Sequence, residues 1–153
     1  MPEPIAFSST APRFALPLLF AGQSQKEMTF NEAILLADFL LHPVIEGTTA
    51  TEPSAPTPGQ CWIITAGANG IFAAKTDQIA AWSEGGWRFI APKEGMRVFD
   101  RARTGHRIFR GAAWRAPAMP SAPTGGTIVD IQARSAIIAI ADALREAGVS
   151  LAP

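Results

Sequence analysis

A chain of 153 residues holds one compact domain with extensions. Apolar residues make up 48% and charged residues 17%, against about 25% in ordinary soluble domains, so a partner is expected to hide part of the surface. No apolar run approaches the roughly 18 to 20 residues of a membrane span, the start MPEPIAFSST lacks a basic segment followed by an apolar core, and a single cysteine cannot close an internal disulfide.

Residues 1–22 carry prolines at positions 2, 4, 12 and 17 and end in Leu16-Pro17-Leu18-Leu19-Phe20, which predicts an extended arm with an apolar end that must dock. Two overlapping capping boxes, Ser24-x-x-Glu27 and Thr29-x-x-Glu32, then open a helix expected from about Thr29 to Leu41. Phe30, Ile34, Ala37 and Leu41 share one face, while Leu35, Leu36 and Phe39 fall on another. A helix apolar all round is covered on both sides, and in so small a protein the second cover is expected to be another subunit. Phe30, Ile34, Leu35, Leu36 and Phe39 are therefore candidate interface residues.

His42-Pro43 stops the helix, and Gly47 to Gly59 reads as a proline-rich and threonine-rich loop. From Gln60 to Arg115 short apolar and aromatic runs alternate with turn residues, the pattern of small antiparallel strands. Strands are expected at 61–65, 71–74, 79–83, 87–91, 96–100, 107–109 and 113–115, with Asn69-Gly70 and Gly85-Gly86 as hairpin turns. Cys61, in the first of these runs, reads as a buried thiol. A faint repeat relates Ala81-Trp82-Ser83-Glu84-Gly85-Gly86-Trp87-Arg88 to Ile108-Phe109-Arg110-Gly111-Ala112-Ala113-Trp114-Arg115, which predicts two similar hairpins. Eight basic and two acidic residues lie between Arg88 and Arg115, and because the chain's 13 basic and 13 acidic residues balance overall, the remainder is net acidic. The excess marks either a surface for an acidic partner or the solvated face of strands.

Residues 116–126 form a second linker rich in proline and glycine. A helix is expected from Asp130 to Ala147, capped by Thr127 or Asp130 and stopped by Gly148. Ala133, Ile137, Ile140, Leu144 and Ala147 recur at spacings of 4 and 3, a narrow seam of coiled-coil type on residues 127–153. Ile137, Ile140 and Leu144 are thus candidate oligomer contacts, and isoleucine at successive core positions favours three or more strands.

The constellations that carry chemistry are missing. His42, His106 and Cys61 have no metal-ligand spacing, and no nucleophile elbow, phosphate loop or dinucleotide fingerprint occurs. Glu27 and Glu32 have the residue type of a glycosidase pair, but capping explains them more simply. No catalytic residue, metal or cofactor is expected. Trp87 and Trp114, each followed by an arginine (Arg88, Arg115), suit an acidic polysaccharide, with the alternative that the rings fill the β module. Nucleic-acid binding has the arginines without a reading element.

The stretch from Leu16 to Ala33, LPLLFAGQSQKEMTFNEA, and the stretch from Gly85 to Met96, GGWRFIAPKEGM, resemble the DUF2793 family, with likeness from Phe14 to Arg115. Residues 125–130 and the alanine-rich segment after them are similar to members that end there. The resemblance implies a particle protein of prophages and gene transfer agents of alphaproteobacteria: a head-spike base or tail-fibre attachment module at the surface of a virion or phage-like particle, made in the bacterial cytoplasm. Its implied partners are copies of itself, as a trimer or as a pentamer on a fivefold vertex, and neighbouring capsid, spike or fibre proteins. The family carries no catalytic residues to transfer. The fold class expected is α+β: an N-terminal arm (1–22), a helix and small antiparallel β-meander or barrel-like module (23–115), a linker (116–126) and a linked C-terminal helix (127–153).

Overall fold

The structure, a computed structural model, describes residues 18, 26–117, 121–126 and 130–149. It is a mixed α+β protein: helix α1 (Lys26–Leu41), eight short strands in two sheets that do not close on each other, and helix α2 (Ile131–Glu146). The arm lies outside the described residues except for Leu18, which is buried. Helix α1 begins three residues earlier than expected. Thr29 is therefore already helical, and the carboxylate of Glu32 faces Arg88 on a strand instead of folding back to cap.

The start of the loop expected from Gly47 is a strand, and a further short strand precedes it. Val44–Ile45 (β1) and Gly47–Thr49 (β2) are two halves of one extended segment broken at Glu46. Each half goes to a different sheet and runs parallel to its neighbour there. Thr48 and Thr49 are β-branched, which explains why a segment with turn-like composition holds an extended backbone.

One sheet has the order β2, β3 (Cys61–Ile64), β4 (Ile79–Ser83), β5 (Gly86–Ile90); the other has β1, β6 (Arg97–Asp100), β7 (Gly105–Phe109), β8 (Trp114–Arg115). Past the parallel first pair, each is an antiparallel meander. The strand expected at 71–74 is absent among the described residues: residues 70–72 form a 3₁₀ turn, and Asn69-Gly70 opens that turn and makes no hairpin. Phe72, at its end, is fully buried on the sheet beneath. The β4–β5 turn does use glycine as expected, and the positive φ falls on Gly86 (+94°), which pairs with Ser83 at the start of β5.

The main core lies between α1 and both sheets. Leu35 and Phe39 of α1 meet Ile45, Cys61, Ile63, Ile79, Ala81, Ile90 and Val98, with Leu36, Met96 and Trp114 at its margin. Cys61 is buried there. Asn31, Leu35, Asp38 and Phe39, spaced four, three and one apart, are the buried stripe of the helix. The second core is on the other face of β3–β5, where Ile64, Phe72 and Ala80 pack with Trp87 and Phe89.

The two hairpins with related sequences are built alike: Trp82 opposes Trp87 and Ala81 opposes Arg88, as Phe109 opposes Trp114 and Ile108 opposes Arg115. Each also closes an edge-to-face ring pair, 4.9 Å between Trp82 and Trp87 and 5.3 Å between Phe109 and Trp114. The aromatic pair lies on the face away from the main core in the first hairpin and at the margin of that core in the second.

Helix α2 starts where expected. Asp130 accepts a hydrogen bond from the Ala133 amide at 2.9 Å. It ends in a Schellman turn, in which Gly148 at φ +64° donates to Arg145 O and Val149 to Leu144 O. Among the described residues no helix is long and apolar enough to cross a membrane.

Candidate interaction surfaces

Three surfaces are left open by this packing. The first is the outward face of α1. Opposite the buried stripe, Phe30 (47% exposed), Ala33, Ala37, Leu40 (37%) and Leu41 (55%) form an apolar strip that no other described residue covers. Of the residues assigned to a subunit contact, Phe30 is on this strip and Ile34 and Leu36 are half-buried on its flanks. Leu35 and Phe39, assigned to the same contact, are enclosed by their own chain, because the helix needs its widest residues against the two sheets. Leu40 and Leu41 complete the exposed strip, and helical spacing had already set Leu41 on the face of Phe30.

The second surface is α2. None of its sixteen residues is buried; Ile137 (45%), Ile140 (61%) and Leu144 (40%) are open along one seam. The helix is held at its C-terminal end, where the backbone amide and the Nδ1 of His106 on β7 both donate to Gly148 O, at 2.9 and 2.8 Å. A carbonyl oxygen only accepts, so Nδ1 carries the hydrogen. Phe99, Thr104 and His106 line a cleft with Asp142 and residues 145–148 of the helix end.

The third surface is aromatic. Strand residues alternate between faces, so Trp62, Trp82, Trp87 and Phe89 share the outer face of β3–β5. Trp87 is the hub, edge-to-face with Trp82 (4.9 Å), Phe72 (5.1 Å) and Trp62 (5.7 Å). All three indoles are half-buried, and Lys75 Nζ sits 4.5 Å over the Phe89 ring.

The same alternation separates the residues expected to make one sugar patch. Arg88, next to Trp87, turns to the inner face and gives Nε and Nη2 to Glu32 at 3.0 and 2.7 Å, and Nη1 to Gly85 O and Trp87 O. Trp114 faces inward and donates Nε1 to Asp77 O at 2.8 Å, tying one sheet to the other. Arg115 faces solvent and donates to Arg110 O. Trp62 and Trp82, in place of Trp114, are the residues that join Trp87, and the pairing of Trp82 with Trp87 across the Glu84-Gly85 turn is the signal for it.

The arginine-rich stretch is divided too. Arg88 and Arg107 lie inside, Arg107 donating to the fully buried Asp100 at 2.7 Å, while Arg101 makes an exposed pair with Glu46. Among the described residues no group of three or more His, Cys, Asp or Glu side chains is placed to hold a metal ion.

No curated protein matches the chain. The model of the family described as "Protein of unknown function (DUF2793)" matches residues 30–115. That span takes in α1 from Phe30 and both sheets to the end of β8; the residues 16–29 that shared in the sequence resemblance precede it, and α2 follows it. Because it covers more than half of the 153 residues, the chain belongs to the DUF2793 family.

Proposed function

We propose that this protein is a structural component of a phage-like particle, a spike or fibre base module that works by assembling with copies of itself and with neighbouring particle proteins, and that it performs no catalysis. The observation that carries this reading is the two-sided α1 helix. Leu35 and Phe39 already supply the protomer's own core, yet Phe30, Leu40 and Leu41 stay in solvent on the other side. A contiguous apolar strip of this kind is uncommon on a monomer and ordinary at a subunit contact. The uncovered isoleucine seam of α2 adds a second such face. In this reading the module sits at the particle surface, as a trimer or, on a fivefold vertex, a pentamer. Gradient-purified particles from the bacterium carrying the gene test it. The chain is expected to co-sediment with capsid protein in a fixed ratio, and its presence only in the soluble lysate would contradict the assignment.

A second reading, adhesion to host capsular polysaccharide, is favoured by one observation: the half-exposed indoles of Trp62, Trp82 and Trp87 on one face. Indole rings stack on the C–H faces of sugar rings, and a cluster of three offers the area to do so. Binding to immobilised polysaccharide, lost on Trp82→Ala with the fold intact, is the result expected; unchanged binding would remove this reading.

A further inference from the structure

We propose that Asn69 is a site of self-modification: its side chain closes on the Gly70 amide, loses ammonia and reopens mainly as isoaspartate, which lengthens the backbone beneath the turn that carries Phe72. The proposal stands apart from the assembly and adhesion readings.

The chain has two asparagines, and the fold treats them oppositely. Asn31 lies within α1, is followed by Glu32 and is 3% exposed. Asn69 is exposed, its side chain caps nothing, and Gly70 follows it. Glycine has no Cβ to obstruct an attack through its nitrogen. Among the described residues the Gly70 amide donates to no backbone acceptor, so no such bond has to break before it turns on the neighbouring Cγ.

The backbone angle favours ring closure. A five-membered imide forms when Cβ of the asparagine eclipses the next nitrogen, and since substituents on Cα lie about 120° apart this occurs at ψ of about −120°. Asn69 stands at ψ −175°, about 55° short of it, whereas a regular helix is about 80° away and an antiparallel strand about 105°. Swinging the Asn69 carbonyl gives up one hydrogen bond, from Phe72 N at 3.1 Å, and the Asn69 amide is held to Ala50 O only by a long contact of 3.4 Å. A single 3₁₀ turn with two bonds of this kind yields easily.

The reaction needs no reagent except water. Gly70 N forms a bond to Asn69 Cγ, the bond from Cγ to the side-chain nitrogen breaks, and the Gly70 amide proton leaves with that nitrogen as ammonia. Water then opens the imide. Cleavage at Cγ gives aspartate; cleavage at the main-chain carbonyl gives isoaspartate, whose chain runs through Cγ and is one atom longer.

Phe72 gives the site its consequence. Its ring is fully buried and lies edge-to-face with Trp87 at 5.1 Å and with Phe89 at 5.8 Å. An extra backbone atom at the head of this turn lifts Phe72 from the sheet, and the side of Trp87 that it covers opens to water.

The purified chain, held in mildly alkaline buffer and followed by peptide mass mapping with an isoaspartyl methyltransferase assay, tests the proposal. Asn69 is expected to gain about 1 Da, mostly as isoaspartate, at least about tenfold faster than Asn31, which must first open from its helix. Tryptophan emission should move to the red in step with the conversion. In Asn69→Gln, whose longer side chain closes a ring far more slowly, emission should stay fixed over the same period. An Asn69 that keeps its amide in the folded chain while the same chain in urea converts would overturn the proposal, as would equal rates at the two asparagines. Conversion with unchanged emission would overturn its consequence for the aromatic face.

Discussion

Arg88 and Glu32, fifty-six residues apart, are joined by a two-pronged ion pair, Nε to Oε2 at 3.0 Å and Nη2 to Oε1 at 2.7 Å, that fastens β5 to α1. The guanidinium is mostly buried and the carboxylate 42% exposed, so solvent screens part of the attraction. Arg88→Ala is expected to cost about 1–2 kcal/mol, since it also strips donors from Gly85 O and Trp87 O. Arg88→Lys should recover little of it, because an ammonium cannot form the fork. Urea denaturation of both variants measures this.

Two other arginine ion pairs separate by burial. Arg107 serves Asp100, whose carboxylate is buried and whose Oδ1 has no hydrogen-bond partner among the described residues. Arg107→Ala leaves that charge without its cation and is expected to cost about 3–5 kcal/mol. Arg101→Ala, breaking the exposed pair with Glu46, is expected to stay within about 0.5 kcal/mol. Similar losses for the two would contradict the burial argument.

Gly148→Ala is expected to release the end of α2 without unfolding the sheets. The residue sits at φ +64°, and the new methyl meets His106 and Phe99. The left-handed backbone alone costs about 1 kcal/mol or more with a side chain. Hydrogen exchange should quicken at the His106 amide and along α2, while the amides of β3 and β4 keep their protection.

The two faces of α1 predict opposite phenotypes. Leu35→Ala is expected to cost about 2–5 kcal/mol, as for other large-to-small changes in a core. Leu41→Ala, on the exposed strip, is expected to leave protomer stability within about 0.5 kcal/mol and to weaken assembly.

Much of this architecture was legible in the sequence. The strands at 61–64, 79–83, 86–90 and 97–100 follow from runs of apolar and aromatic residues between turns, and the α2 caps from Asp130 and Gly148. What was hidden depended on distant partners. The parallel pairing of β1 and β2 is decided by β6 and β3, far along the chain, so Gly47-Thr48-Thr49 looked like a loop. Ile71 and Phe72 have strand composition, yet Phe72 caps the aromatic face from a 3₁₀ turn because that face needs a lid. Glu32 had an adequate local explanation as a cap, and nothing local pointed to Arg88. The split of Trp87 from Arg88 and of Trp114 from Arg115 was available from strand alternation alone. Which member of each pair turns inward was not, since that depends on how the sheets pack.

The central claim is that sister copies cover the outward strip of α1, and native mass spectrometry of the purified chain at micromolar concentration tests it most directly. A discrete closed oligomer, shifted toward protomers by Leu41→Glu, is the result expected. A single 16.2 kDa species for the unaltered chain, unchanged across the concentration range, would contradict it.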